Sequence, residues 1–295
     1  MSEDNDSFID YSNLEERKLK EIEHSKIRRK ILVGYERIAD THAISQIDNL
    51  EELIKDKKKF DYYFANMKYY SVTKSSEKYK QDWLKERCNK NVKIIDFACG
   101  NGENAIFAAS CGATAIGIDI SDEGIQNCKL NAKEANVDAK TSFFAMDGEN
   151  MSFENDYFDY GVEYGALHHV DLDAALSELA RVLKPNAQMI CVEALRHNPL
   201  IHWYRKRTPH LRTEWEVDHI LGVESLEIMK KYFKEVKVKF FHLSSLGLVP
   251  LRKTFLFPIL LPIFEKLDKF LLKPQFIGKF GWLMIVELTG PKKNP

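Results

Sequence analysis

The chain has 295 residues, of which 44% are hydrophobic, so it is long enough for one full core with further segments around it. Its 43 basic and 44 acidic residues leave a formal net charge of -1, and no overall field would draw the chain to nucleic acid. The five cysteines show neither a CxxC spacing nor a histidine at zinc-ligand distance, so no disulfide framework and no metal site is predicted. The first ten residues are acidic and polar, unlike a secretory signal, and the cytoplasm is the expected location.

The N-terminal part is predicted to be an extension outside the main sheet. Residues 1–12 contain too few apolar residues to fold alone and are expected to form a disordered tail. Residues 13–90 are expected to be a helical extension that covers the active site, because apolar residues such as Ile27 and Ile31 recur at helical spacing. The aromatic stretch at 60–70 either packs this extension on the core or lines a ligand cleft, and both interpretations stay open.

Residues 91–295 are predicted to form a single α/β domain. Apolar runs of strand length alternate with helical patterns, which predicts a Rossmann-like, mostly parallel sheet with helices on both faces. The runs are VKIIDFA, ATAIGIDI, TSFFAMD, YFDYGVEYG and AQMICVEA. Ser121 is expected to cap the helix after the second run. The alternation lapses at about 196–222, a predicted substrate cap, and an apolar insertion at about 244–279 separates the last two strands, VKVKFFHL and FGWLMIVELTG.

The sharpest local signal is the segment IIDFACGNGENA at residues 94–105. A buried strand runs into Gly100 and Gly102 at the start of a helix, where the backbone can approach a ligand closely. With Ala105 the glycines also fit GxGxx(G/A), so an NAD-dependent oxidoreductase has to be weighed. Asp96 argues against it, because a carboxylate beside the glycine turn suits the cationic groups of S-adenosylmethionine (SAM) better than a pyrophosphate.

Two further acids end the next two strands. Asp119, 23 residues beyond Asp96, lies where a carboxylate accepts hydrogen bonds from both ribose hydroxyls of a nucleoside. Asp147 is predicted to accept a hydrogen bond from an adenine amino group. Gly148 is expected to ease the backbone conformation beside it. The alternative for each acid is a solvated carboxylate at a strand end.

These motifs resemble the type 11 group of class I SAM-dependent methyltransferases over about residues 90–195. The family's DxGxGxG loop corresponds to Asp96, Ala98, Gly100 and Gly102. The acid that ends the family's second strand corresponds to Asp119, and its adenine-side acid corresponds to Asp147. The tract FDYGVEYGALHHVDLDAALSELARVLKPNAQMI looks like the family's fourth strand, ALHH loop and RVLKPGG turn. The resemblance implies SAM as cofactor, with Ile120, Gly148 and Glu163 as further contacts, and a seven-stranded sheet whose last strand is antiparallel.

Two residues depart from the family's pattern. Ala98 replaces the first loop glycine and is expected to keep a negative φ, where alanine is unstrained. Asn186 replaces a turn glycine and is expected to adopt the left-handed conformation that asparagine tolerates. Neither change is expected to prevent SAM binding.

Methyl transfer from a sulfonium is an in-line displacement, so the protein must align the acceptor and accept its proton. The candidates for this chemistry are Glu163, His168 and His169, beyond the end of the fourth strand, since the pKa of histidine is suited to a general base. ALHH also recurs in the resembled family across different acceptors, which leaves a structural or SAM-gating role open.

The segment HNPLIHWYRKRTPHLRTEWEVDH at 197–219 resembles a subset of these enzymes that look associated with saccharide or lipid biosynthesis. That resemblance implies a substrate-binding set, His197, Asn198, Arg205, Arg212 and His219. Clustered guanidinium groups suggest an acceptor with a carboxylate or phosphate. The alternative is that this segment is a solvated basic helix with no role in substrate binding. The irregular spacing of the histidines predicts no metal.

The apolar insertion includes FLFPILLPIF at 255–264, which is too short for a membrane-spanning helix and is broken by prolines. A lid or core element, a peripheral membrane contact and a homodimer interface remain open for it. For the whole chain the leading hypothesis is a SAM-dependent methyltransferase of a small-molecule acceptor, with oxygen slightly favoured. An NAD-dependent oxidoreductase and a non-catalytic SAM-binding protein are the alternatives.

Overall fold

The computed structural model describes residues 9–29, 54 and 56–293. Its sheet contains β1 (Lys93–Phe97), β2 (Thr114–Asp119), β3 (Thr141–Ala145), β4 (Phe158–Tyr164), β5 (Leu183–Ala194), β6 (Phe233–Phe241) and β7 (Leu283–Pro291). The seven strands are ordered β3-β2-β1-β4-β5-β7-β6. The pairs among β1 to β5 are parallel, and β7 runs antiparallel to both β5 and β6. The predicted Rossmann-like sheet with an antiparallel last strand is therefore confirmed.

Helices cover both faces of this sheet. Among the described residues they are α1 (Glu16–Arg29), α2 (Lys57–Tyr63), α3 (Lys74–Arg87), α4 (Glu103–Ser110), α5 (Asp122–Glu134), α6 (Leu172–Val182), α7 (Pro199–Arg207), α8 (Glu214–His219), α9 (Ser225–Tyr232), α10 (Phe257–Leu271) and α11 (Gln275–Gly278). One hydrophobic cluster joins α3, α4 and α5 to the sheet, and a second joins α6 and α9 to it. Ile94 and Ile95 are consecutive on β1 and belong to different clusters, so apolar side chains of this strand are needed on both faces.

Side-chain caps fix where the helices around the strand ends begin. Ser121 accepts from the backbone N–H of Gly124 at 3.3 Å, as the sequence predicts for α5. Asn198 accepts from the N–H groups of Leu200 and Ile201 at 3.1 and 3.0 Å, and Pro199 occupies the first position of α7. These caps hold the helix starts at the carboxyl edge of the sheet.

Two backbone expectations are wrong. Ala98 has a φ of +50°, because the turn that leaves β1 is held by Cys99, whose N–H donates to the carbonyl of Ile118 at 2.8 Å. A left-handed alanine costs about 1–2 kcal/mol. Asn186 is not among the residues with positive φ; it lies inside β5, which begins at Leu183 because the pairing with β4 extends past the expected turn.

The remaining segments divide as follows. Residues 1–8 of the predicted tail and Ile31 lie outside the described residues, and Tyr11–Asn13 form a 3₁₀ turn. The predicted cap contains α7, a 3₁₀ turn at Pro209–Leu211 and α8. The insertion contains a 3₁₀ turn at Ser245–Leu251, followed by α10 and α11. In the part of the chain that the structure describes, no helix is both long and apolar enough to cross a membrane.

Candidate functional site

A cavity of about 350 Å³ lies at the carboxyl ends of the parallel strands, the edge where open α/β sheets bind ligands. We call one wall the cofactor half; it is formed by the ends of β1, β2 and β3 and by the loops that follow them. We call the opposite wall the acceptor half; it is formed by His168 and by residues of α7, α8 and the 3₁₀ turn at Met67–Val72. The helix α1 borders both halves.

Two glycines leave room for a ligand against the backbone. Gly100 and Gly165 both line the cavity and have φ values of +59° and +67°, and a Cβ added to either would meet no atom within 4 Å. Each missing side chain therefore leaves open space beside the main chain. Gly102 differs, because a Cβ there would lie 3.0 Å from the ring of Phe143, and Gly102 serves packing within the loop.

Asp119 lies on the cavity wall at the end of β2. Its carboxylate accepts from the N–H groups of Gly100 and Ser121, each at 2.9 Å. These two hydrogen bonds fix the orientation of the carboxylate. Ile120, the next residue, also lines the cavity.

Asp96 is placed behind the glycine loop and does not line the cavity. It is 1% exposed and accepts from the N–H of Ala105, at the start of α4, at 2.9 Å and from the amide of Asn104 at 3.3 Å. Burial raises the pKa of Asp96 to about 7, although these hydrogen bonds oppose the shift. The carboxyl group thus fills the helix N-terminus at which a dinucleotide pyrophosphate would bind, which disfavours the NAD alternative.

Asp147 and Gly148 line the cofactor half next to α1. The ammonium of Lys18 lies 2.6 Å from Asp147 and 2.9 Å from Glu149, and Arg17 also pairs with Glu149, at 2.6 Å. Despite the opposing effect of burial, these cations hold the pKa of Glu149 below its usual value. The ion pairs fasten α1 over the cofactor half, beside the acid predicted to bind adenine.

A buried acid–histidine chain lies at the border of the two halves. Nδ1 of His168 is 2.7 Å from a carboxylate oxygen of Glu193, and the other oxygen of Glu193 accepts from the N–H of Leu167 at 2.6 Å. Glu163 and Glu193 are both fully buried. Burial, together with the neighbouring Glu193, raises the pKa of Glu163 well above its usual value. Burial raises the pKa of Glu193, but His168 and the hydrogen bonds from Glu163 and from the N–H of Leu167 together lower it below its usual value.

This chain fixes the orientation of His168. An ionised Glu193 can only accept hydrogen bonds, so Nδ1 of His168 is the donor to Glu193 and Nε2 is the other ring nitrogen. His168 lines the cavity, and its Nε2 lies 4.0 Å from Glu216. Glu163 does not line the cavity; it accepts from the N–H of Ala166 and stays beneath the loop. Of the predicted catalytic residues, His168 and His169 line the cavity.

His169 faces α1. Its Nδ1 lies 3.1 Å from a carboxylate oxygen of Glu21, and the hydroxyl of Thr213 donates to the other oxygen. Burial lowers the pKa of His169, but the Glu21 carboxylate outweighs burial and raises it to about 9. His169 therefore forms an ion pair that holds α1 to the loop after β4.

The acceptor half contains two arginines of the predicted cap. Arg212 pairs with Glu216 at 3.1 Å. Arg205 is 7% exposed and donates to the carbonyl of Leu195 at 2.8 Å; among the described residues no carboxylate lies within ion-pair distance of it. Burial, and then the like charge of Arg212, lower the pKa of Arg205 to about 10, so it remains a cation at neutral pH. This buried charge lines the cavity.

The other predicted substrate residues lie elsewhere. His197 is 3.2 Å from Glu224 and does not line the cavity. The side chain of Asn198 caps α7 and donates to the carbonyl of Phe280 at 2.7 Å. His219 is exposed and stacks on Trp215 with ring centroids 3.6 Å apart. Among the described residues no group of histidines, cysteines and acids has the arrangement of a metal site.

Several cavity residues were not singled out from the sequence. They are Lys18, Glu21, Tyr204, Glu216 and Trp282, together with Glu193 behind His168. A signal existed for Glu193, because a carboxylate inside the apolar run AQMICVEA has to find a buried partner. The aromatic stretch at 60–70 serves both of its possible roles: Phe60 and Phe64 are buried in packing, and Tyr69 and Tyr70 line the cavity.

Comparisons with known proteins agree with this geometry. Residues 94–186 match the model of a family described as a methyltransferase domain. Over 122 residues the chain is 30% identical to the ubiquinone/menaquinone biosynthesis C-methyltransferase UbiE of Rickettsia massiliae (strain Mtu5), a stretch covering 39% of this chain and 49% of that relative. The protein of the same name from Rickettsia prowazekii (strain Madrid E) is 29% identical over the same length and coverage. The chain thus spans about half the length of these curated relatives.

A solved structure resembles the fold. The crystal structure of the MccD protein has a TM-score of 0.50 to this chain at 18% sequence identity and covers 73% of this chain and 96% of its own. At that identity the likeness concerns the fold alone. It agrees with the seven-stranded architecture described above.

Proposed function

We propose that this chain is a class I SAM-dependent methyltransferase that transfers the methyl group of SAM to a small acceptor carrying an anionic group, and the methyltransferase domain matched at residues 94–186 supports this. The observation that carries the proposal is one continuous cavity bordered by the Asp119 corner, by His168 and by Arg205. A donor at the cofactor half and an acceptor at the opposite wall would meet inside it. The proposal extends to the activity and acceptor of the whole chain, since the curated relatives are matched over only about half of their length.

The cofactor half would hold SAM through shape and hydrogen bonds. Gly100 and Gly165 leave the space for the nucleoside and the methionyl part, and Asp119 would accept from the ribose hydroxyls. Asp147, with Lys18 beside it, would border the adenine. SAM, when bound, supplies an electrophilic methyl group on a sulfonium, and the residues around it have to align the acceptor and receive a proton.

His168 would be the general base of this reaction. The acceptor would take up the methyl group that SAM supplies, leaving S-adenosylhomocysteine, and would have to lose a proton. Nε2 of His168 has the lone pair to take that proton, and Glu193 stabilises the imidazolium that results. An acceptor hydroxyl is the slightly favoured site, because a hydroxyl needs a base to accept its proton when it is methylated.

The guanidinium of Arg205 would bind the anionic group of the acceptor. A buried cation that lacks an acidic partner is costly unless a ligand supplies the opposite charge, and guanidinium groups bind carboxylates and phosphates through parallel hydrogen bonds. Arg212 and Glu216 complete the polar side of the acceptor half. Tyr69, Tyr204 and Trp282 supply an aromatic side against the rest of the acceptor.

Carbon methylation is the second candidate. The name of the Rickettsia relatives describes a C-methyltransferase of ubiquinone and menaquinone biosynthesis, and an activated ring carbon also loses a proton after methylation. The aromatic side of the acceptor half suits such a ring. Identification of the methylated atom in the product separates the two candidates.

The test is isothermal titration of the full chain with SAM and with S-adenosylhomocysteine. We expect micromolar binding of both, followed by a mass increase of one methyl group in a member of a pool of anionic phenols, sugars and lipid precursors. No binding of either ligand at millimolar concentration would overturn the proposal. Binding of SAM without turnover of any acceptor would favour the non-catalytic SAM-binding protein.

A further inference from the structure

A row of large apolar side chains on and around α10 points to solvent. Phe255, Phe270 and Phe276 are 79%, 70% and 71% exposed, and Ile259 and Ile263 are 58% and 57% exposed. Hydrophobic side chains of this size are normal on a surface when they are scattered singly, but a contiguous row marks an interaction site. We call this row, together with Leu267, the apolar face.

The opposite side of α10 is already packed. Leu261 is buried, and Leu260 and Phe264 pack against the hydrophobic cluster that includes the 3₁₀ turn at Ser245–Leu251. The helix is therefore amphipathic and anchored by its inner side. Since the side chains of the apolar face point away from the core, the lid or core interpretation does not account for them.

The apolar face is flanked by basic residues. Four lysines beside it are exposed: Lys253, Lys266, Lys269 and Lys273. Between residues 251 and 281 the sequence has two acids, Glu265 and Asp268. Asp268 is 4% exposed and turns inward, where its carboxylate accepts from the N–H and hydroxyl groups of Ser244 and Ser245. Glu265 is half-buried, so the surface around the apolar face is cationic.

We propose that the apolar face docks on an anionic lipid surface. Apolar side chains that enter the acyl boundary and lysines that meet anionic headgroups are the two parts of interfacial binding by an amphipathic helix. A second copy of the chain fits less well, because a two-fold interface pairs the same patch with itself and would gather the lysines of both copies in one interface. This assignment does not depend on methyl transfer.

The end of the insertion that carries the apolar face is tied to a helix of the acceptor half. The start of α7 is tied to the end of the insertion by Asn198, which donates to the carbonyl of Phe280. Ile201 and Arg205 of α7 line the cavity, whereas Leu200 and Trp203 are 73% and 55% exposed on the same helix. A docked chain would thus hold one wall of its cavity close to the lipid surface.

The experiment is flotation of the full chain with vesicles of phosphatidylcholine alone and with vesicles that contain one-third phosphatidylglycerol. We expect binding to the anionic vesicles only, weakened by salt. The variant Phe255→Ser/Ile263→Ser/Phe270→Ser should lose at least a hundredfold in affinity. The variant Lys266→Gln/Lys269→Gln/Lys273→Gln should lose about a hundredfold, at about fivefold per lysine.

Matched variants change the same chemistry elsewhere. Leu130→Ser/Val217→Ser removes two apolar side chains that are 49% and 46% exposed, and Lys85→Gln/Lys133→Gln/Lys140→Gln removes three exposed lysines. Both should float as the wild type does. No affinity for anionic vesicles would overturn the proposal, as would equal losses in the matched variants. A concentration-dependent dimer that the apolar variant dissociates would assign the face to a second copy instead. SAM titration of every variant keeps this result separate from the proposed function.

Discussion

The cofactor half and the acceptor half of one cavity are built on different principles. The cofactor half uses strand ends and loops between residues 97 and 148, and its contacts are backbone N–H groups, glycines and carboxylates. The acceptor half draws on α1, the 3₁₀ turn at Met67–Val72, the loop after β4, and the helices α7 and α8. Its polar contacts are charged side chains that pair across those segments, as Glu21 does with His169.

The two halves differ in what sets the positions of their side chains. In the cofactor half the sheet itself sets the geometry, since parallel strands must end at the same edge. In the acceptor half geometry depends on a chain of ion pairs and hydrogen bonds, in which Glu193 orients His168 and Glu216 holds Arg212. Single substitutions should therefore affect donor binding in one half and acceptor chemistry in the other.

The largest difference between the effect on turnover and the effect on SAM affinity is expected for a substitution of His168. The change His168→Gln removes the lone pair that would take the acceptor proton, and it should lower turnover by about a hundred- to ten-thousandfold. SAM affinity, measured by calorimetry, should stay within about threefold of the wild type. His202→Gln, an exposed histidine on α7, is the control. Equal turnover in the two variants would remove His168 from the chemistry, and loss of SAM affinity would make it a cofactor gate.

Asp119 should produce the reverse pattern. Asp119→Asn replaces an ionised acceptor of the ribose hydroxyls, and SAM affinity should fall by about 1–3 kcal/mol, or about 5- to 150-fold. Asp138→Asn, at an exposed position in the 3₁₀ turn before β3, should bind SAM as the wild type does. Calorimetry with both variants checks this. An unchanged affinity for Asp119→Asn would place the ribose elsewhere.

These two halves were unequally accessible to sequence reasoning. The alternation of apolar runs predicted the sheet, and the positions of Gly100, Asp119 and Asp147 at strand ends placed them on the cavity wall, because both signals are local in sequence. Pairs such as Lys18 with Asp147 join residues 129 positions apart. No local pattern encodes such a pair, since it depends on how α1 crosses the strand ends.

The cap shows the same limit in a single segment. His197, Asn198 and Arg205 follow one another within nine positions, yet only Arg205 lines the cavity. Asn198 is used as a helix cap, and its neighbour His197 is turned toward Glu224. The direction of each side chain follows from where α7 starts and what it packs on, which the composition of the segment does not specify.

Arg205 tests whether the acceptor half selects anions. Arg205→Met should raise the KM for an anionic acceptor by about ten- to a hundredfold, because a charge-assisted hydrogen bond is lost. Stability should stay within about 1 kcal/mol of the wild type, since the lost bond to Leu195 is offset by removal of a desolvated cation. Arg207→Met, exposed on the same helix, is the control. An unchanged KM for Arg205→Met would refute the anionic subsite.

The pH dependence of stability tests whether the ion pair between His169 and Glu21 holds α1 in place. The pKa of His169 is raised from 6.5 to about 9, so the folded state binds this proton more tightly than the unfolded state. The stabilisation is complete below about pH 6.5 and is lost as the pH rises through about 9. The full shift corresponds to about 3.4 kcal/mol, and the 32% exposure of the side chain reduces it to about 1–2 kcal/mol.

Thermal unfolding of the wild type and of His169→Gln measures this contribution. The wild type should be more stable by a constant amount between pH 5 and 6.5, and the difference should shrink to nothing above about pH 9. At acid pH this contribution is limited by Glu21. The pKa of Glu21 is lowered in the folded state, so the stability that it contributes is lost as the pH falls through that pKa. A difference that grows with pH would contradict the pairing.

The smallest effect is expected at Ala98, a residue of the cofactor half whose backbone has the positive φ that residues with a Cβ usually avoid. Its φ of +50° costs about 1–2 kcal/mol for a residue with a Cβ, and Ala98→Gly removes that strain while adding about 0.5–1 kcal/mol of unfolded-state entropy. The net gain in unfolding free energy should be about 0 to 1.5 kcal/mol, measured by urea denaturation. Ala139→Gly, at an exposed position without positive φ, should lose about 0.5–1 kcal/mol instead. If both variants lose stability equally, the glycine loop is not strained, and the turn after β1 tolerates a side chain as readily as the surface does.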